Sequence, residues 1–523
     1  MTTLQLLQKQ NKDLRIQMKN AAVKEELKRI ELQESCRHLR DELAAKDRTI
    51  LMLQKEIASL SSENAVLRGA LDETCDLANR YRAICEKDST TSNKPPATDA
   101  FKKPRVFCTR RISGRKPGGQ HGHTGHTLRP FVKPTTIIER RPPEKCACGG
   151  RVTCGELYTA KQQADVLVIP VITEERAYTG YCEQCGRKHT GAFSEGYVNP
   201  VQYGAGLKAI VSSLNAYANV TTHKVAELLK SVTGDVIHIS AATVVNIIHE
   251  LSSELDETLD TIRAHLIASA ILCADETGCR VNGRLDWMQI YCNESYTLFA
   301  RNEKRGGLLA ENDELLLFFT CVLVHDHFKT YYKYQHITHA ECNAHILRYL
   351  EAVIKIQQHK WAQEMATFLR TTLHRKKELL LAGSSAFLPE DVQEIHRRYH
   401  EILNDGQIEY ETAVAGKKNK SYYNEERCLL ARLKEYADQH LLFAMNFEVP
   451  FDNNLAEQGA RFLKSKKKAI GCFRSEKGAD DYARVASLIA TLRKQKLNVF
   501  DTIHDAFSGI PPPFVFPPAS PCG

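Results

Sequence analysis

The sequence predicts a multidomain α+β protein, and three observations lead to this fold class. The chain has 523 residues, which is too long for one hydrophobic core, so we expect three or four units. A leucine repeat near the N-terminus is typical of a long helix. Short apolar runs separated by turn residues in the second half are typical of β-strands. With 43% hydrophobic and 26% charged residues, the composition indicates a folded protein rather than a disordered one.

Residues 1–88 are predicted to form a coiled coil. They are rich in Leu, Glu, Lys, Arg and Gln, without Gly or Pro before Gly69. A seam that repeats every 3.5 residues is buried against a partner helix, and Lys46 and Asn64 weaken this seam while helping to fix its register. The partner is either a second copy of the chain or the protein's own body, and we favour a homo-oligomer. The apolar side chains at alternating a and d positions are Leu39, Leu43, Ile50, Leu53, Ile57, Leu60, Leu67 and Leu71.

Neither a signal peptide nor a membrane span is expected. The first residues lack the apolar block of a signal peptide. Apolar runs such as residues 315–324 are far shorter than the about 20 residues that cross a bilayer. We therefore expect a cytoplasmic protein with no membrane partner. The 17 cysteines are spread along a large chain, which favours reduced thiols and a metal site over disulfides.

Residues 89–140 are a basic segment rich in Gly, His and Pro, which indicates a linker or an arm that binds a polyanion. Between residues 101 and 141 there are eleven Lys and Arg against one acid, and between 461 and 494 there are ten against three. Basic side chains gain affinity for phosphates by releasing counterions, whereas the plainer interpretation is a solvated charged face. The histidines of the arm lie near phosphate or bind a metal, and we favour phosphate. The candidate contacts are Arg115, Lys116, His121, His123 and His126.

Residues 141–195 are predicted to hold one structural zinc ion. Cys146 and Cys148 precede two glycines, and Cys182 and Cys185 precede a third. Two thiolate pairs on such turns can complete a tetrahedral Zn²⁺ site, because glycine lets the backbone fold back toward the metal. A redox pair and competition from Cys154 are the alternatives. Four protein ligands would leave no open position for catalysis.

Residues 196–266 have helical periodicity. Leu207, Ile210, Val211 and Leu214 recur at spacings of three and four. Ser240 is a candidate N-cap, and residues 234–235 interrupt the helical pattern. The region is either a helix-turn-helix or a set of packing helices, and the sequence does not decide between them.

Two acids follow apolar runs that resemble buried strands. Asp275 ends the run 268–275 and Asp326 follows the run 315–324, while residues 284–291 and 296–301 form two more predicted strands. Acids at the ends of neighbouring strands are a recurrent way to hold a metal, since the strands fix the backbone and the oxygens converge on the cation.

A third acid, Glu457, lies in a segment with helical character. On a helix, Glu457, Arg461 and Lys464 share one face at spacings of four and three. The carboxylate can then reach a metal while the two cations sit near a phosphate. An ordinary amphipathic helix with an ion pair is the equal alternative for this motif taken alone.

Together these motifs resemble the large transposases of the insertion sequence 66 family. The resemblance covers nearly the whole chain in order, from the coiled coil and the Gly/His arm at residues 115–126 through the cysteine pairs to the C-terminal helices. The further motifs that carry it are Ala274-Asp275-Glu276-Thr277-Gly278, Val324-His325-Asp326, Cys342-Asn343-Ala344-His345-Ile346-Leu347-Arg348, Asn453-Asn454-Leu455-Ala456-Glu457 and Gly471-Cys472-Phe473-Arg474-Ser475.

The resemblance implies a catalytic domain of ribonuclease-H-like fold with Asp275, Asp326 and Glu457 as its acidic triad, holding two Mg²⁺ or Mn²⁺ ions. The domain's first part is expected at residues 267–341. A helical insertion follows at 342–450, then the final catalytic helix region at 451–500 and a C-terminal tail at 501–523. The helical periodicity of residues 361–381 and 391–403 agrees with such an insertion. The expected DNA contacts around the triad are Arg348, Arg461, Lys464 and Arg474, with His345 as a further assisting residue.

The implied function is that of a DNA transposase, which binds the ends of its insertion sequence and catalyses strand cleavage and strand transfer. Its partners would be double-stranded DNA at the transposon ends and the target, a second copy of the chain, and small accessory proteins of the same element. Such a protein would act in the bacterial cytoplasm, in association with the nucleoid. One alternative is a catalytically inactive, transposase-derived DNA-binding regulator. Another is a coiled-coil scaffold with a zinc module.

Overall fold

The computed structural model describes residues 3–86, 130–306, 313–417 and 420–514. The chain divides into two compact units. The first comprises residues 1–87 together with 414–425, and the second comprises residues 88–413 and 426–523.

The first unit is dominated by one helix of 84 residues, α1 (Thr3–Glu86). The predicted long helix is therefore confirmed. Its eight heptad side chains are between 52% and 66% exposed, so this apolar seam is not buried within the part of the chain that the structure describes. The helix thus keeps a seam that a partner helix would cover, and the coiled coil itself stays a prediction.

The cysteine-rich region of the second unit is built from turns and one short hairpin. The hairpin consists of β1 (Thr179–Tyr181) and β2 (Lys188–Thr190), which pair in antiparallel fashion on either side of the second cysteine pair. Residues 154–177 contain no strand. Gly149 and Gly186 have φ values of 89° and 65°, so both cysteine turns use the left-handed conformation that favours glycine.

Four helices follow, and the first three of them contribute apolar side chains to one small core. They are α2 (Ala205–Ser212), which continues into a π-helical turn at Ser213–Tyr217, α3 (Thr222–Val232), α4 (Ala241–Ser253) and α5 (Asp256–Ile267). The predicted N-cap is confirmed, since the Ser240 side chain accepts a hydrogen bond from the Thr243 amide at 3.0 Å. The core is formed by Val211, Val225, Leu229, Val244 and Ile247.

A five-stranded mixed sheet forms the centre of the second unit. Its strands are β3 (Ile271–Val281), β4 (Arg284–Cys292), β5 (Thr297–Asn302), β6 (Val322–His325) and β7 (Thr338–Glu341). They lie in the order β5-β4-β3-β6-β7. The first three form an antiparallel meander, whereas β6 and β7 run parallel to β3. Asn282 and Gly283 connect β3 to β4 with φ values of 48° and 80°, as a tight hairpin turn requires.

Two of the strand predictions need correction. The strand that carries Asp275 does not end there but continues to Val281, because its second half still pairs with β4 after the pairing with β6 has ended. The run 315–324 is not one strand. Its first half forms a short helix, α6 (Glu314–Phe318), because the Asp313 carboxylate accepts hydrogen bonds from the first free amides of that helix.

The insertion is helical, as predicted. It contains α7 (Asn343–Ile356), α8 (Lys360–Leu381), α9 (Pro389–Val414), α10 (Asn424–Glu435) and α11 (Ala437–Met445). The chain then returns to the sheet with α12 (Asn454–Ile470) and α13 (Glu476–Lys494), and α14 (Val499–Ala506) follows. Helix α12 packs on β3 and β4, and α13 packs on β5.

Gly459 lets α12 approach the sheet closely. A Cβ atom at this position would lie 3.0 Å from Ile290 Cγ2 and 3.3 Å from Phe299 Cε1. Helix α13 covers the outer strand in a different way, since its Ser487 and Thr491 hydroxyls accept hydrogen bonds from the β5 amides of Phe299 and Thr297. The edge of the sheet is thereby protected from pairing with another strand.

No helix in the described segments has the length and apolar character needed to cross a membrane. Thirteen cysteines in these segments have free thiols. Cys321 is disulfide-bonded, so the expectation of reduced thiols is wrong at that one position.

Candidate active site

The sheet places Asp275 and Asp326 level with each other on neighbouring parallel strands. Cys273 of β3 pairs with Val324 of β6, and each acid lies two residues further along its chain. Asp275 is within β3, whereas Asp326 follows directly after the last residue of β6. The strand register therefore brings together two acids that are 51 positions apart in the sequence.

Burial disfavours the ionised form of both carboxylates. Burial, followed by the charges of Asp326 and Glu276, raises the pKa of Asp275 to about 7. Burial also raises the pKa of Asp326, although the Phe328 amide donates a hydrogen bond of 3.1 Å to its Oδ1 atom. Crowded carboxylates of this kind hold a shared proton or a cation in place of full negative charge.

A third carboxylate, Glu276, lies beside this pair and was not predicted as a site residue. Its side chain is only 1% exposed and accepts hydrogen bonds from Arg305 Nε and Nη2 at 3.0 and 2.8 Å. Tyr331 donates a further hydrogen bond to it at 3.2 Å. The Arg305 guanidinium also lies over the rings of Trp287 and Phe328. Glu276 therefore has its own counter-ion, which the strand alternation alone could not reveal.

Glu457 is positioned by the start of helix α12. Asn453 precedes this helix and donates a hydrogen bond of 2.7 Å from Nδ2 to the carbonyl oxygen of Ala274, the residue before Asp275. The Glu457 amide then donates to the Asn453 carbonyl at 3.1 Å. One buried amide side chain thus ties the first turn of α12 to the strand that carries Asp275.

The side chain of Glu457 lies near two arginines and near the side chains of Cys342 and His345. Arg348 Nη2 is 3.6 Å from one of its oxygens and Arg461 Nη2 is 3.3 Å from the other. One ligand atom each of Cys342, His345 and Glu457 lie within 4.8 Å of one another, and no other group of three or more such ligands occurs in the described segments. The three predicted acids therefore do not form one tight cluster in this structure.

The remaining basic residues lie around these acids in different ways. The positive charge of Lys464 acts to lower the pKa of Asp275, against the larger effect of burial. Arg474 is exposed, and it follows Phe473, which exchanges backbone hydrogen bonds of 2.8 Å with Arg280 and Asn282 at the end of β3. The predicted arm contacts Arg115, Lys116, His121, His123 and His126 lie outside the described residues.

A buried hydrogen-bond network links the loop of Asp326 to the helical insertion. Glu341 ends β7 and accepts hydrogen bonds from His327, Tyr332, Arg432 and His440. Burial by itself would raise the pKa of Glu341, but the hydrogen bonds from His327 and His440 and the charge of Arg432 hold it well below its usual range. No sequence motif indicated this network, because its members come from three separate segments.

The two cysteine pairs of the zinc prediction are each formed locally. The pKa of Cys148 is lowered by the Gly150 backbone and by Cys146, and that of Cys182 is lowered by the backbone of Cys185 and Gln184. Among the described residues, no three of these thiols lie within 4.8 Å of one another. The zinc site stays a prediction.

A mixed sheet with crowded carboxylates and adjacent basic helices fits a protein that acts on nucleic acid. The model of the transposase IS66 family matches residues 200–481, which is more than half of the chain, and the protein belongs to this family. The match contains the sheet, the helical insertion and all three predicted acids. Membership of a transposase family implies that the protein binds DNA and uses a divalent metal ion. No curated protein matches the chain.

Proposed function

We propose that this protein is a transposase that binds the ends of its insertion sequence and catalyses DNA strand cleavage and strand transfer. Asp275, Asp326 and Glu457 are the acids of this reaction. The observation that carries the proposal is the level placement of Asp275 and Asp326 on parallel strands, where each is partly buried and has a raised pKa. Neighbouring carboxylates with raised pKa values are typical of functional sites, and here they favour metal binding.

A ribonuclease-H-like catalytic domain is part of the proposal. Its support is the five-stranded mixed sheet with an antiparallel meander and two strands parallel to β3. The helical insertion separates this sheet from α12, and α12 then packs back on β3. Glu457 thereby returns to the strand of Asp275 although 182 positions separate the two residues in sequence.

The donor set suits two Mg²⁺ or Mn²⁺ ions, because both are hard cations that prefer oxygen ligands. Asp275 would hold both ions, and Asp326 and Glu457 would complete their ligand sets. When bound, such a pair lowers the pKa of the attacking water or 3′-hydroxyl and stabilises the leaving oxygen. The raised pKa of Asp275 means that binding a cation replaces a proton near neutral pH.

Basic side chains next to the acids would bind the DNA backbone. Arg348 and Arg461 flank Glu457, and Lys464 is close enough to Asp275 to influence its pKa. These cations would offset phosphate charge and hold the scissile strand over the carboxylates. The exposed Arg474 and the basic arm at residues 89–140 would extend the contact along the duplex.

The other regions would organise the assembly. The exposed seam of α1 would pair copies of the chain. Cys146, Cys148, Cys182 and Cys185 would hold one structural Zn²⁺ once the two pairs meet, and α2 to α4 would supply a DNA-binding surface. Small accessory proteins of the same element remain part of the proposal, as does association with the nucleoid.

The decisive experiment is a cleavage assay on DNA that contains the ends of the element. Asp275→Ala should abolish Mg²⁺-dependent cleavage and leave DNA binding within about twofold, because the acid holds metal rather than DNA. Glu254→Gln is the control, since this exposed acid lies at the end of α4. Undiminished cleavage by Asp275→Ala would refute the triad. Tight DNA binding without cleavage by the wild-type chain would instead support an inactive regulator.

A further inference from the structure

We propose that Cys342, His345 and Glu457 form a binding site for a thiophilic divalent cation such as Zn²⁺. Sγ of Cys342, a ring nitrogen of His345 and a carboxylate oxygen of Glu457 all lie within 4.8 Å of one another. Zinc binds sulfur at about 2.3 Å and nitrogen at about 2.0 Å. Tetrahedral coordination places such ligands less than about 4 Å apart, so small side-chain rotations would close this group on one ion.

The fold holds these three ligands together from two distant segments. Cys342 is the N-cap residue of α7, and His345 lies in the first turn of that helix. The Asn453 amide donates a hydrogen bond of 3.2 Å to Cys342 Sγ, and Glu457 lies one helical turn further along. Asn453 is also tied to Ala274 of β3. The site is therefore set on rigid elements, which is what metal binding requires.

The imidazole of His345 has an unused donor or acceptor. Its buried Nδ1 atom has no hydrogen-bond partner among the described residues. Buried polar atoms in native proteins nearly always have a partner, and each exception calls for an explanation. A metal ion bound by His345 provides one, because a ligating imidazole uses one ring nitrogen for the metal and leaves the other for a hydrogen bond.

The ligand types distinguish this site from the acids of β3 and β6. A thiolate and an imidazole favour Zn²⁺ or Co²⁺, whereas Mg²⁺ prefers an all-oxygen set. Three protein ligands leave a fourth tetrahedral position for water. Two guanidinium groups near Glu457 oppose a cation. Arg461 is 67% exposed, so solvent screens its charge, whereas Arg348 is 22% exposed and its charge must be offset by the thiolate and carboxylate ligands.

The consequence is regulatory and rests on the proposed function, because Glu457 is shared with the proposed catalytic triad. A Zn²⁺ ion held by Cys342 and His345 would engage the carboxylate that Mg²⁺-dependent cleavage needs. Zinc should therefore inhibit the reaction at a fixed Mg²⁺ concentration. Binding of the thiophilic ion does not itself depend on that function and can be measured alone.

The binding test is a titration of the metal-free, full-length protein with Co²⁺, followed by the thiolate-to-metal absorption band. Cys342→Ser and His345→Gln should each remove one bound equivalent or weaken it by more than about tenfold, since even second-shell changes cost 10- to 100-fold in affinity. Cys472→Ser is the matched control, because this free cysteine lies outside the group. Circular dichroism identifies variants that fail to fold. If Cys342→Ser does not fold, the Co²⁺ titration of His345→Gln tests the site.

Folded Cys342→Ser and His345→Gln proteins that bind Co²⁺ like the wild type would overturn the proposal. The second measurement titrates Zn²⁺ into the cleavage assay and compares the half-inhibitory concentration for wild type and His345→Gln, where we expect an increase of about tenfold. If the variants lose the Co²⁺ site but the wild-type protein cleaves no DNA, the result counts against the proposed function alone. Mg²⁺-dependent cleavage with unchanged Co²⁺ binding in the variants would count against this site alone.

Discussion

The protonation of Asp275 and Asp326 depends more on their surroundings in the fold than on the ordinary acidity of a carboxyl group. Burial raises the pKa of both carboxyls, and the charge of Asp326, which lies level with Asp275 on the neighbouring strand, raises that of Asp275 further. Sequence alone predicted that both acids would end strands, which holds for Asp326 but not for Asp275, whose strand continues to Val281. It could not predict Glu276 and its partner Arg305, because that ion pair joins residues 29 positions apart. Nor could it place Cys342 beside Glu457.

The raised pKa of Asp275 leads to a prediction about pH. Its folded pKa of about 7 lies above the ordinary value of 3.8. The native state therefore binds more protons between those values, and metal-free stability falls as pH rises through this window. Asp275→Asn removes the free-energy cost of ionising this carboxyl in the folded protein. We expect a gain on the order of 2 kcal/mol in unfolding free energy at pH 8 in EDTA, and almost none at pH 4.

Chemical denaturation at several pH values, with and without Mg²⁺, checks this expectation. Mg²⁺ should stabilise only the wild type and so narrow the difference in unfolding free energy between the wild type and Asp275→Asn at pH 8. Glu254→Gln, a change at an exposed acid at the end of α4, should follow the wild type at every pH. An Asp275→Asn protein less stable than the wild type at pH 8 without metal would contradict the pKa argument.

At the scale of elements, helix α12 is attached to the sheet by contacts that a helical pattern cannot reveal. The spacing of Glu457, Arg461 and Lys464 predicted the helix and its charged face, and the structure confirms the helix. Which strand it packs against depends on Asn453, which reaches Ala274, and on Gly459, which lies against Ile290. Likewise the sequence predicted one strand for the run 315–324, whereas the Asp313 cap starts a short helix in its first half.

Gly459→Val should separate α12 from the sheet. The added side chain begins only 3.0 Å from Ile290 Cγ2 and 3.3 Å from Phe299 Cε1. Overpacking of this kind costs about 1–3 kcal/mol, and displacement of Glu457 should reduce cleavage by more than about tenfold, since small misplacements at an active site cost up to 100-fold. Thermal unfolding and the cleavage assay measure the two effects.

The control for this change is Gly206→Val in α2, where a Cβ atom meets nothing within 4 Å. Valine has a somewhat higher helix propensity than glycine, so this variant should be about neutral or slightly more stable. Equal effects of the two substitutions would show that helix propensity, rather than contact with the sheet, controls the result.

At the scale of the whole molecule, the long helix α1 presents an apolar seam that its own described chain leaves exposed. A helix of 84 residues with such a stripe is stable in water chiefly when a second helix covers the stripe. We therefore expect oligomers. Leu53→Asp combined with Leu60→Asp should weaken the self-association constant by at least about 100-fold, because it places charges in the buried seam.

Analytical ultracentrifugation of the full-length protein measures this change. Ser59→Asp combined with Ser62→Asp introduces the same charges at c and f positions, away from the seam, and should leave the oligomeric state unchanged. A wild-type protein that is monomeric at micromolar concentration would rule out self-association through α1. An Asp double variant with undiminished association would place the interface elsewhere on the chain.

The sequence by itself determined the features that depend on local order: the long helix, the meander strands, the Ser240 cap and the helical insertion. Periodicity, turn residues and caps act between near neighbours, so one stretch of chain contains all the information. Tertiary structure alone decided which chemical groups meet. The pairing of β3 with β6 aligned Asp275 with Asp326, and Asn453 tied the helix of Glu457 to the same strand. Such contacts join residues up to 179 positions apart, and only packing and strand register determine them.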